Sequence, residues 1–467
     1  MKKIALSLIV FTMTSVSALA GGILTNTNQS IDFLRNPSRD AAIGLDGVYS
    51  NPAGVVFMPE GFHLGINWQY AHQTRTIEST NPVYMLGRKN NQNSATKVFE
   101  GVANAPVIPS IQVAYNMEHW SLQANLSVPG GGGSCEFENG LGSFESTVGS
   151  IAQMLRPFGA QGYDMDSYMK GRQYYYGVQI GAACKVIPNL SVYGGLRMLY
   201  GDATYKAKIS NIQVKTANGY MDFGSYLTQI MPAAQAAGAG DKIAALEKYS
   251  QGVNLLCNQA GVGFAPIVGI DYKLGNLNFA AKYEFRTQIR MKNESTVNEA
   301  SAIPAVNKFR DGEHVNEDVP ALVTLGVQWS PLDVLRVSVG GHYFFDKNAS
   351  WYGNSQEKLS HNTYEILWGA EWDTTENLTF SAGAQITRYG NTDEYINDMS
   401  FVVNSYSIGF GFSYKLSQIV AVKAAYFQTF YGNYNRVTAT DANGNTTVGD
   451  SFTRSNRVFG LGCQIDL

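Results

Sequence analysis

The sequence is dominated by stretches in which apolar and polar residues alternate one by one. In LNFAAKYEFRTQIR, which begins at Leu277, the odd-numbered positions are Leu, Phe, Ala, Tyr, Phe, Thr and Ile, and the even-numbered positions are mostly polar. VLRVSVGGHYFFD, from Val334, and SYSIGFGFSY, from Ser405, repeat the alternation. A period of two over this length predicts β-strands with one apolar and one polar face.

Stretches of this kind predict fourteen strands, and an even number is what an antiparallel barrel built from hairpins requires. The predicted strands are residues 61–78, 109–117, 120–129, 172–186, 190–208, 262–274, 277–292, 319–329, 334–346, 363–373, 377–389, 404–415, 419–430 and 454–466.

The connections between these strands are alternately short and long. The short ones are EHW, IPN, LGN, SPLD, TTEN and LSQ, and the long ones lie near 79–108, 130–171, 209–261, 293–318, 347–362, 390–403 and 431–453. Bacterial outer-membrane barrels have short periplasmic turns and long external loops, and their closure leaves no strand edge unpaired in lipid. We therefore predict an all-β fold, a transmembrane antiparallel β-barrel. The alternative is a soluble β-sandwich, which buries its apolar face and needs no systematic difference in loop length.

Composition agrees with a barrel in the membrane. The chain has 27 Tyr and 23 Phe, whereas charged residues make up 15% and the formal net charge is -3. This balance provides no basic face for nucleic acid. Many aromatic residues lie toward the ends of predicted strands, as in the interfacial girdles of membrane barrels. They include Trp68, Tyr70, Tyr115, Tyr272, Tyr283, Trp329, Tyr343, Trp372, Tyr414 and Tyr426.

The N-terminus has the layout of an export signal. Residues 1–20, MKKIALSLIVFTMTSVSALA, have a basic start, an apolar centre and Ala18-Leu19-Ala20 before Gly21. This layout predicts a cleaved signal peptide. The alternative is an anchor helix, for which the apolar centre is short. A chain of this length ordinarily forms two or three domains, and a single large barrel is the main exception.

Residues 21–60 do not alternate and are rich in Asn, Ser, Gly and Pro. They precede the first strand and so begin on the periplasmic side. Because the interior of a fourteen-stranded barrel must be filled or left as a channel, we predict that this segment is a plug inside the lumen. The barrel itself is predicted to comprise residues 61–467. Asn51 before Pro52 predicts a turn, and Pro52 could open a short helix.

Several stretches resemble the FadL/TodX family of outer-membrane transporters of long-chain fatty acids and hydrophobic compounds. They are DAAIGLDGVYSNPAGVVFMPEG from Asp40, DYKLGNLNFAAKYEFRTQIRMK from Asp271, VPALVTLGVQWSPLDVLRVSVGGHYFF from Val319, and YSIGFGFSYKLSQIVAVKAAYFQTFYG from Tyr406. The resemblance covers essentially the whole mature chain and implies a monomeric fourteen-stranded barrel closed by an N-terminal hatch. It implies passive uptake of apolar molecules, which pass a pocket in the barrel and leave through an opening in its wall.

The resemblance also carries over particular residues. Asn51, Pro52 and Ala53 match the hatch motif. In the family a kink in the third strand makes the wall opening, and here SVPGGGGS places Pro129 and Gly130 at the loop end of the third predicted strand. The chain departs from the pattern of outer-membrane barrels by ending in Leu467, where an aromatic residue is usual. No residue matches the family's carboxylate-binding basic residue.

Five basic residues are predicted to face the lumen and to bind a ligand's head group, because Arg can hold a carboxylate with two parallel hydrogen bonds. They are Lys282, Arg286, Arg290, Arg336 and Arg388. The alternative is that they pair with lumen acids such as Glu284, Glu365, Glu371 or Asp346.

No motif predicts a catalytic, cofactor or metal site, and we expect no enzyme activity. PGGGGS lacks the lysine and the following helix of a phosphate loop. An outer-membrane protease or lipase is the enzymatic alternative, for which His314 with Asp311 or Asp318 could serve at a loop rim. A general diffusion porin and a surface adhesin or antigen are the non-enzymatic alternatives.

Two long loops, 130–171 and 209–261, are predicted to be partly helical. In the first, Phe144, Val148, Ile151 and Leu155 recur at spacings of three and four. The four cysteines match no metal motif. Cys135 and Cys257 are predicted in loops, where they could pair in an oxidising compartment, and Cys184 and Cys463 are predicted in strands.

The predicted location is the bacterial outer membrane. The expected partners are a hydrophobic small molecule, the lipids and lipopolysaccharide of that membrane, and the barrel assembly machinery. We expect no nucleic acid partner, and no energy-coupling segment is visible in the sequence.

Overall fold

The computed structural model of the chain describes residues 23–89, 93–297 and 304–467. The predicted signal peptide, residues 1–20, and the first two residues of the predicted plug lie outside the described residues.

The described strands form one antiparallel sheet that closes on itself, because β1 pairs with β18. The strands are β1 (Gly61–Thr80), β2 (Thr96–Asn116), β3 (Trp120–Phe137), β4 (Gly162–Ile187), β5 (Leu190–Thr216), β6 (Gly219–Asp222), β7 (Val253–Leu274), β8 (Leu277–Glu284), β9 (Arg290–Val297), β10 (His314–Asn316), β11 (Leu322–Leu332), β12 (Leu335–Phe344), β13 (Tyr364–Asp373), β14 (Leu378–Arg388), β15 (Ser405–Lys415), β16 (Val420–Tyr431), β17 (Tyr434–Thr440) and β18 (Thr446–Asp466).

The barrel wall has fourteen strands. β8 and β9 are two halves of one wall strand, because both pair with β7. β10 and β11 form the next wall strand, pairing with β9 and β8 in turn. β6 and β17 are short additions on the long-loop side that pair with β5 and β18. The predicted fourteen-stranded barrel is therefore confirmed.

Several strands extend farther toward the long loops than predicted. β4 begins at Gly162 rather than at residue 172, and β5 continues to Thr216 rather than ending at 208. In the extension of β5 the outward face carries exposed polar residues such as Asn211 and Lys215. The sheet therefore continues beyond its apolar band, where the hydrophobic alternation used for the prediction is lost.

The two faces of the wall have opposite character. Outward-facing apolar side chains are widely exposed, for example Ile180 at 60%, Phe264 at 56% and Val339 at 54%. Inward-facing positions carry buried polar groups such as Gln179 and Arg197. An apolar exterior around a polar interior is the arrangement of a transmembrane barrel.

Residues 23–60, named here the N-terminal segment, occupy the interior of the barrel. They form α1 (Ile31–Arg35) and two short 3₁₀ turns, Leu45–Val48 and Gly54–Phe57. Ser30 caps α1 by accepting a hydrogen bond from Phe33 N. Nearly every residue from Ile23 to Val56 is buried. Polar contacts join the segment to strands all round the wall, from β1 to β16.

Four helices lie in the two longest loops: α2 (Gly142–Met154), α3 (Phe223–Ala236), α4 (Gly240–Ala244) and α5 (Glu247–Ser250). Phe144, Val148, Ile151 and Leu155 are all buried in one apolar cluster of the loop side. Among the described residues, no helix is long and apolar enough to cross a membrane.

The prediction that Cys135 and Cys257 lie in loops is wrong. Cys135 is on β3 and Cys257 is on β7, because both strands extend farther toward the long loops than predicted. Both are buried, and all four cysteines are free thiols.

Candidate functional site: a gap between β2 and β3

The ladder between β2 and β3 is interrupted. The two strands pair at Ala103 with Cys135 and next at Ile111 with Leu126, so residues 104–110 of β2 have no partner on β3. β2 carries Pro106 and Pro109 in this stretch. Proline has no N–H to donate to a ladder and is found in sheets where pairing is broken.

On β3 the interruption falls at Pro129 and at the four glycines that follow it. The backbone adopts positive φ at Gly131 (+94°) and Gly133 (+70°), which bends the strand. The predicted break at Pro129 and Gly130 is thus in the middle of β3, not at its loop end, because the strand continues to Phe137. Together the two interruptions leave a gap in the wall.

The N-terminal segment pairs with the edge of β3 that the gap leaves open. Asn26 N donates to Pro129 O at 2.9 Å, and Gly131 N donates to Leu24 O at 3.2 Å. Thr25 and Gly130 form an antiparallel bridge. The segment therefore replaces β2 as the partner of β3 on the lumen side of the gap.

Gln29 bonds to both sides of the gap. Its side chain accepts from Val128 N at 3.1 Å and donates to Val128 O at 3.2 Å, so it takes the place of a strand neighbour. Its own carbonyl accepts from Ser110 Oγ at 2.6 Å on β2. Gln29 therefore links β2 and β3 across the gap on the lumen side.

A small cavity of about 20 Å³ runs through the gap. Asn26 and Gln73 line it on the lumen side, and Asn104 and Tyr174, which occupy outward-facing positions, line it on the other. A cavity that binds benzene measures about 150 Å³, so this space has room for about one water molecule and is closed to hydrocarbon ligands in this structure.

A pair of buried arginines adjoins the cavity. Arg75 on β1 and Arg454 on β18 are cross-strand partners, and both face the lumen. Gln73 Oε1 accepts from Arg75 Nε at 2.9 Å and from Arg454 Nη2 at 2.7 Å, and Arg454 Nη1 donates to Phe401 O at 3.1 Å. Sequence reasoning missed this pair, because only the register of the closing seam brings the two residues together.

The predicted hatch motif contacts the wall at β3, β5 and β7. Asn51 Nδ2 donates to Asp271 Oδ2 at 2.6 Å on β7. The carbonyl of Pro52 accepts from Gln123 Nε2 at 2.8 Å, and that of Ala53 accepts from Ser191 Oγ at 2.6 Å. These three residues fix the end of the segment that leads into β1.

The five predicted head-group residues are not brought together. Lys282 is buried and donates to Tyr49 O at 2.8 Å and to Glu284 Oε1 at 2.6 Å. Arg336 bonds to Glu371 and Asp373 near the short turns. Arg286 is partly exposed and donates to Asn348 O. Lys282 and Arg336 therefore pair with lumen acids, as the alternative prediction states.

Arg290 and Arg388 do not face the lumen, so that part of the prediction is wrong. The interruption between β8 and β9 reverses the alternation, and Arg290 is exposed on the outer face while Met291 is buried. Arg388 shares the outward parity of Phe380 on β14. A strict period of two cannot be extended across a break in a strand.

Ion pairs anchor the middle of the N-terminal segment. Arg39 bonds to Asp46 at 2.8 Å within the segment and to Glu371 on β13 at 2.9 Å. His342 on β12 lies between Asp40 of the segment, at 2.9 Å, and Glu365 on β13, at 2.8 Å. These charged contacts contrast with the neutral hydrogen bonds that join residues 24–29 to the gap.

The architecture defines the class: a fourteen-stranded transmembrane barrel whose lumen holds its own N-terminal segment. No family model and no curated protein matches the sequence at a significant level. Solved structures match over nearly the whole chain. A Pseudomonas aeruginosa FadL homologue is 13% identical, with a TM-score of 0.65, and the match covers 96% of this chain and 100% of that one.

Two hydrocarbon transporters are also similar. The Pseudomonas putida toluene transporter TodX is 13% identical, with a TM-score of 0.56, and the match covers 97% of this chain and 100% of that one. The monoaromatic hydrocarbon channel CymD is 14% identical, with a TM-score of 0.52 and coverage of 93% and 98%. At these identities the comparisons show a shared fold, and the chain has the fold of FadL homologues and TodX-type channels.

Proposed function

We propose that the chain carries hydrophobic small molecules passively across the bacterial outer membrane and releases them sideways through the gap between β2 and β3. The observation that carries this proposal is that the open edge of β3 is covered by residues 24–29 of the N-terminal segment rather than by a neighbouring strand. The toluene and monoaromatic hydrocarbon transport named for proteins of the same fold supports it.

In this proposal residues 21–60 are the hatch. Residues 24–29 close the gap through neutral hydrogen bonds, whereas ion pairs and the Asn51-Pro52-Ala53 contacts hold the rest of the segment to the wall. Neutral hydrogen bonds contribute about 0.5–1.5 kcal/mol each, and bonds to charged groups about 1.5–3 kcal/mol. The part that moves is therefore the short stretch beside the gap.

The external loops are proposed as the entry. α2, α3, α5 and the ends of β5 and β7 line an apolar cavity of about 30 Å³, with Val148, Ile151, Phe223, Tyr249 and Val253 among the lining residues. Apolar side chains on the loop side would attract ligands that dissolve poorly in water.

Within the hydrophobic class we propose long-chain fatty acids as the ligands. Arg75 and Arg454 place two guanidinium groups side by side at the lumen end of the gap. A guanidinium group can hold a carboxylate with two parallel charge-assisted hydrogen bonds, and a carboxylate between these two residues would be within reach of both. The apolar tail would then lie toward the gap.

Gln29→Ala tests the gap. The variant removes both side-chain bonds to Val128, and we expect faster uptake of labelled dodecanoate and toluene by cells that carry the chain. Asn28→Ala is the matched control, because Asn28 bonds to Gln69 on β1 and not to either side of the gap. Equal uptake by both variants and by the unchanged chain would contradict the gap as the route.

Mass spectrometry of the detergent-purified chain tests the ligand class. We expect an apolar molecule, a fatty acid first, to co-purify in stoichiometric amount. A chain without bound ligand but with high ion conductance in planar bilayers would favour the general porin. The adhesin alternative, the monomeric state and the expected contacts with lipopolysaccharide and the assembly machinery remain predictions.

A further inference from the structure

Tyr174 occupies an unusual place on the outer face of the wall. Even-numbered residues of β4 face outward, and the neighbours Tyr176, Val178 and Ile180 are 41%, 42% and 60% exposed. Tyr174 has the same parity but is less exposed, because its side chain packs on the apolar cluster formed by Ala105, Ile108, Val128 and their neighbours. The ring therefore lies over the gap rather than out in the lipid.

The wall beneath the ring of Tyr174 carries few large side chains. Opposite Tyr174, β3 supplies Gly131, Gly132 and Gly133, which have no side chains, and residues 104–110 of β2 have no partner on β3. Of the residues that line the cavity of about 20 Å³, Tyr174 has the largest side chain. No apolar ligand fits this space, and after residues 24–29 leave, the ring of Tyr174 still covers the outward side of the gap.

The ring can leave without disturbing the ladder. Pairing between β3 and β4 at this height is made by backbone groups, including the Gly130 and Tyr175 pair, and the side chain of Tyr174 takes no part in it. The ring already stacks on Tyr176, at 5.9 Å between centroids and 26° between planes, on the outward side. A change of the first side-chain torsion between staggered positions moves the ring away from the gap.

We infer that Tyr174 is the outer gate of the gap and sets the cross-section of the molecules that leave through it. This inference rests on the proposed lateral route. A slim chain passes after a small displacement of the ring, whereas a broad polycyclic ligand requires the ring to swing away from Ala105 and Ile108. Tyr174 is thus a determinant of ligand size, separate from the inner closure by Gln29.

The test compares uptake of a slim and a broad carboxylate, dodecanoate and pyrenebutyrate, by cells that carry the full chain. An aromatic contact contributes about 1 kcal/mol, so we expect Tyr174→Ala to raise pyrenebutyrate uptake about five-fold and to change dodecanoate uptake less than two-fold. Tyr200→Ala is the control, because Tyr200 is an outward-facing aromatic residue, 42% exposed, that does not line the gap. Equal ratios of the two uptakes in both variants would overturn the inference.

A third variant separates this inference from the route on which it depends. Ala105→Phe fills the cavity and is expected to slow uptake of both probes. If it leaves both uptakes unchanged while the heat-dependent gel mobility shows a folded barrel, the lateral route itself is wrong. If Ala105→Phe slows uptake of both probes, while Tyr174→Ala changes their uptake as Tyr200→Ala does, the lateral route is supported and the role of Tyr174 as its outer gate is refuted.

Discussion

At the scale of single residues, parity along a strand is predictable but partners across strands are not. Lys282 lies on the inner face, as the alternation around it predicts. Arg290 does not, because a break separates it from the run in which it was counted. Arg75 and Arg454 look like ordinary inward positions of the first and last strands, and only closure of the barrel makes them neighbours. The most suggestive charged pair of the site was therefore out of reach of local pattern reasoning.

Replacing this pair tests the fatty-acid proposal. We expect Arg75→Gln or Arg454→Gln to weaken dodecanoate binding about tenfold, the equivalent of one charge-assisted hydrogen bond, and to leave toluene binding unchanged. Titration calorimetry of the purified chain in detergent would measure both. Arg457→Gln is the control, because Arg457 is exposed on the outer face of the same strand. A matching loss of toluene binding would point to a general disturbance of the lumen.

At the scale of elements, the strands could be predicted from their alternation. The wall positions that contact the N-terminal segment could not. Inward-facing glycines on β11–β15 and β18 lie against residues 31–41 of the segment, and any larger side chain there would meet it. These glycines are Gly326, Gly340, Gly369, Gly383, Gly409, Gly460 and Gly462. In the sequence they read as small residues in a strand. That they leave room for the N-terminal segment is evident only when the segment lies inside the barrel.

Gly326→Ala should loosen the segment. The added methyl group would lie 2.6 Å from the backbone nitrogen of Ala41 and 2.7 Å from Asp40 Cβ, so the segment must shift, at a cost of about 1–3 kcal/mol. We expect a lower midpoint of thermal unfolding and a raised ion leak in planar bilayers. Gly341→Ala is the control on the neighbouring strand, where the nearest atom, Glu365 O, is 3.7 Å away. Equal unfolding midpoints and equal ion leaks in the two variants would contradict a close contact between these glycines and the N-terminal segment.

At the scale of the whole molecule, the barrel was the easiest feature to predict and the gap the hardest. The alternation of short turns and long loops repeats along the whole chain, so errors at single strands do not change the outcome. The gap depends on prolines of β2, glycines of β3 and an N-terminal segment that meet once, in three dimensions. The glycine run showed where β3 bends, but it did not show what covers the bend.

Deleting residues 21–60 behind an intact signal tests the filled lumen. A barrel of this size without filling is close to the porins in width, so we expect a large, non-selective ion conductance in planar bilayers. The intact chain is the reference, and heat-dependent gel mobility shows whether the shortened chain still forms a barrel. An unchanged conductance in a folded barrel would mean that the segment does not seal the lumen, as expected of a porin gated elsewhere.

In the proposed route, the pairing of residues 24–29 with the open edge of β3 also sets the fraction of molecules that are open. When those residues leave, the backbone groups of Val128, Pro129 and Gly131 lose their hydrogen-bond partners, and each group left unpaired away from water costs about 1–3 kcal/mol. A total of even about 3 kcal/mol keeps fewer than about one molecule in a hundred open at any moment. The proposed hatch would therefore close again by itself after each molecule has passed, and no energy source would be needed to restore the barrier against water-soluble toxins.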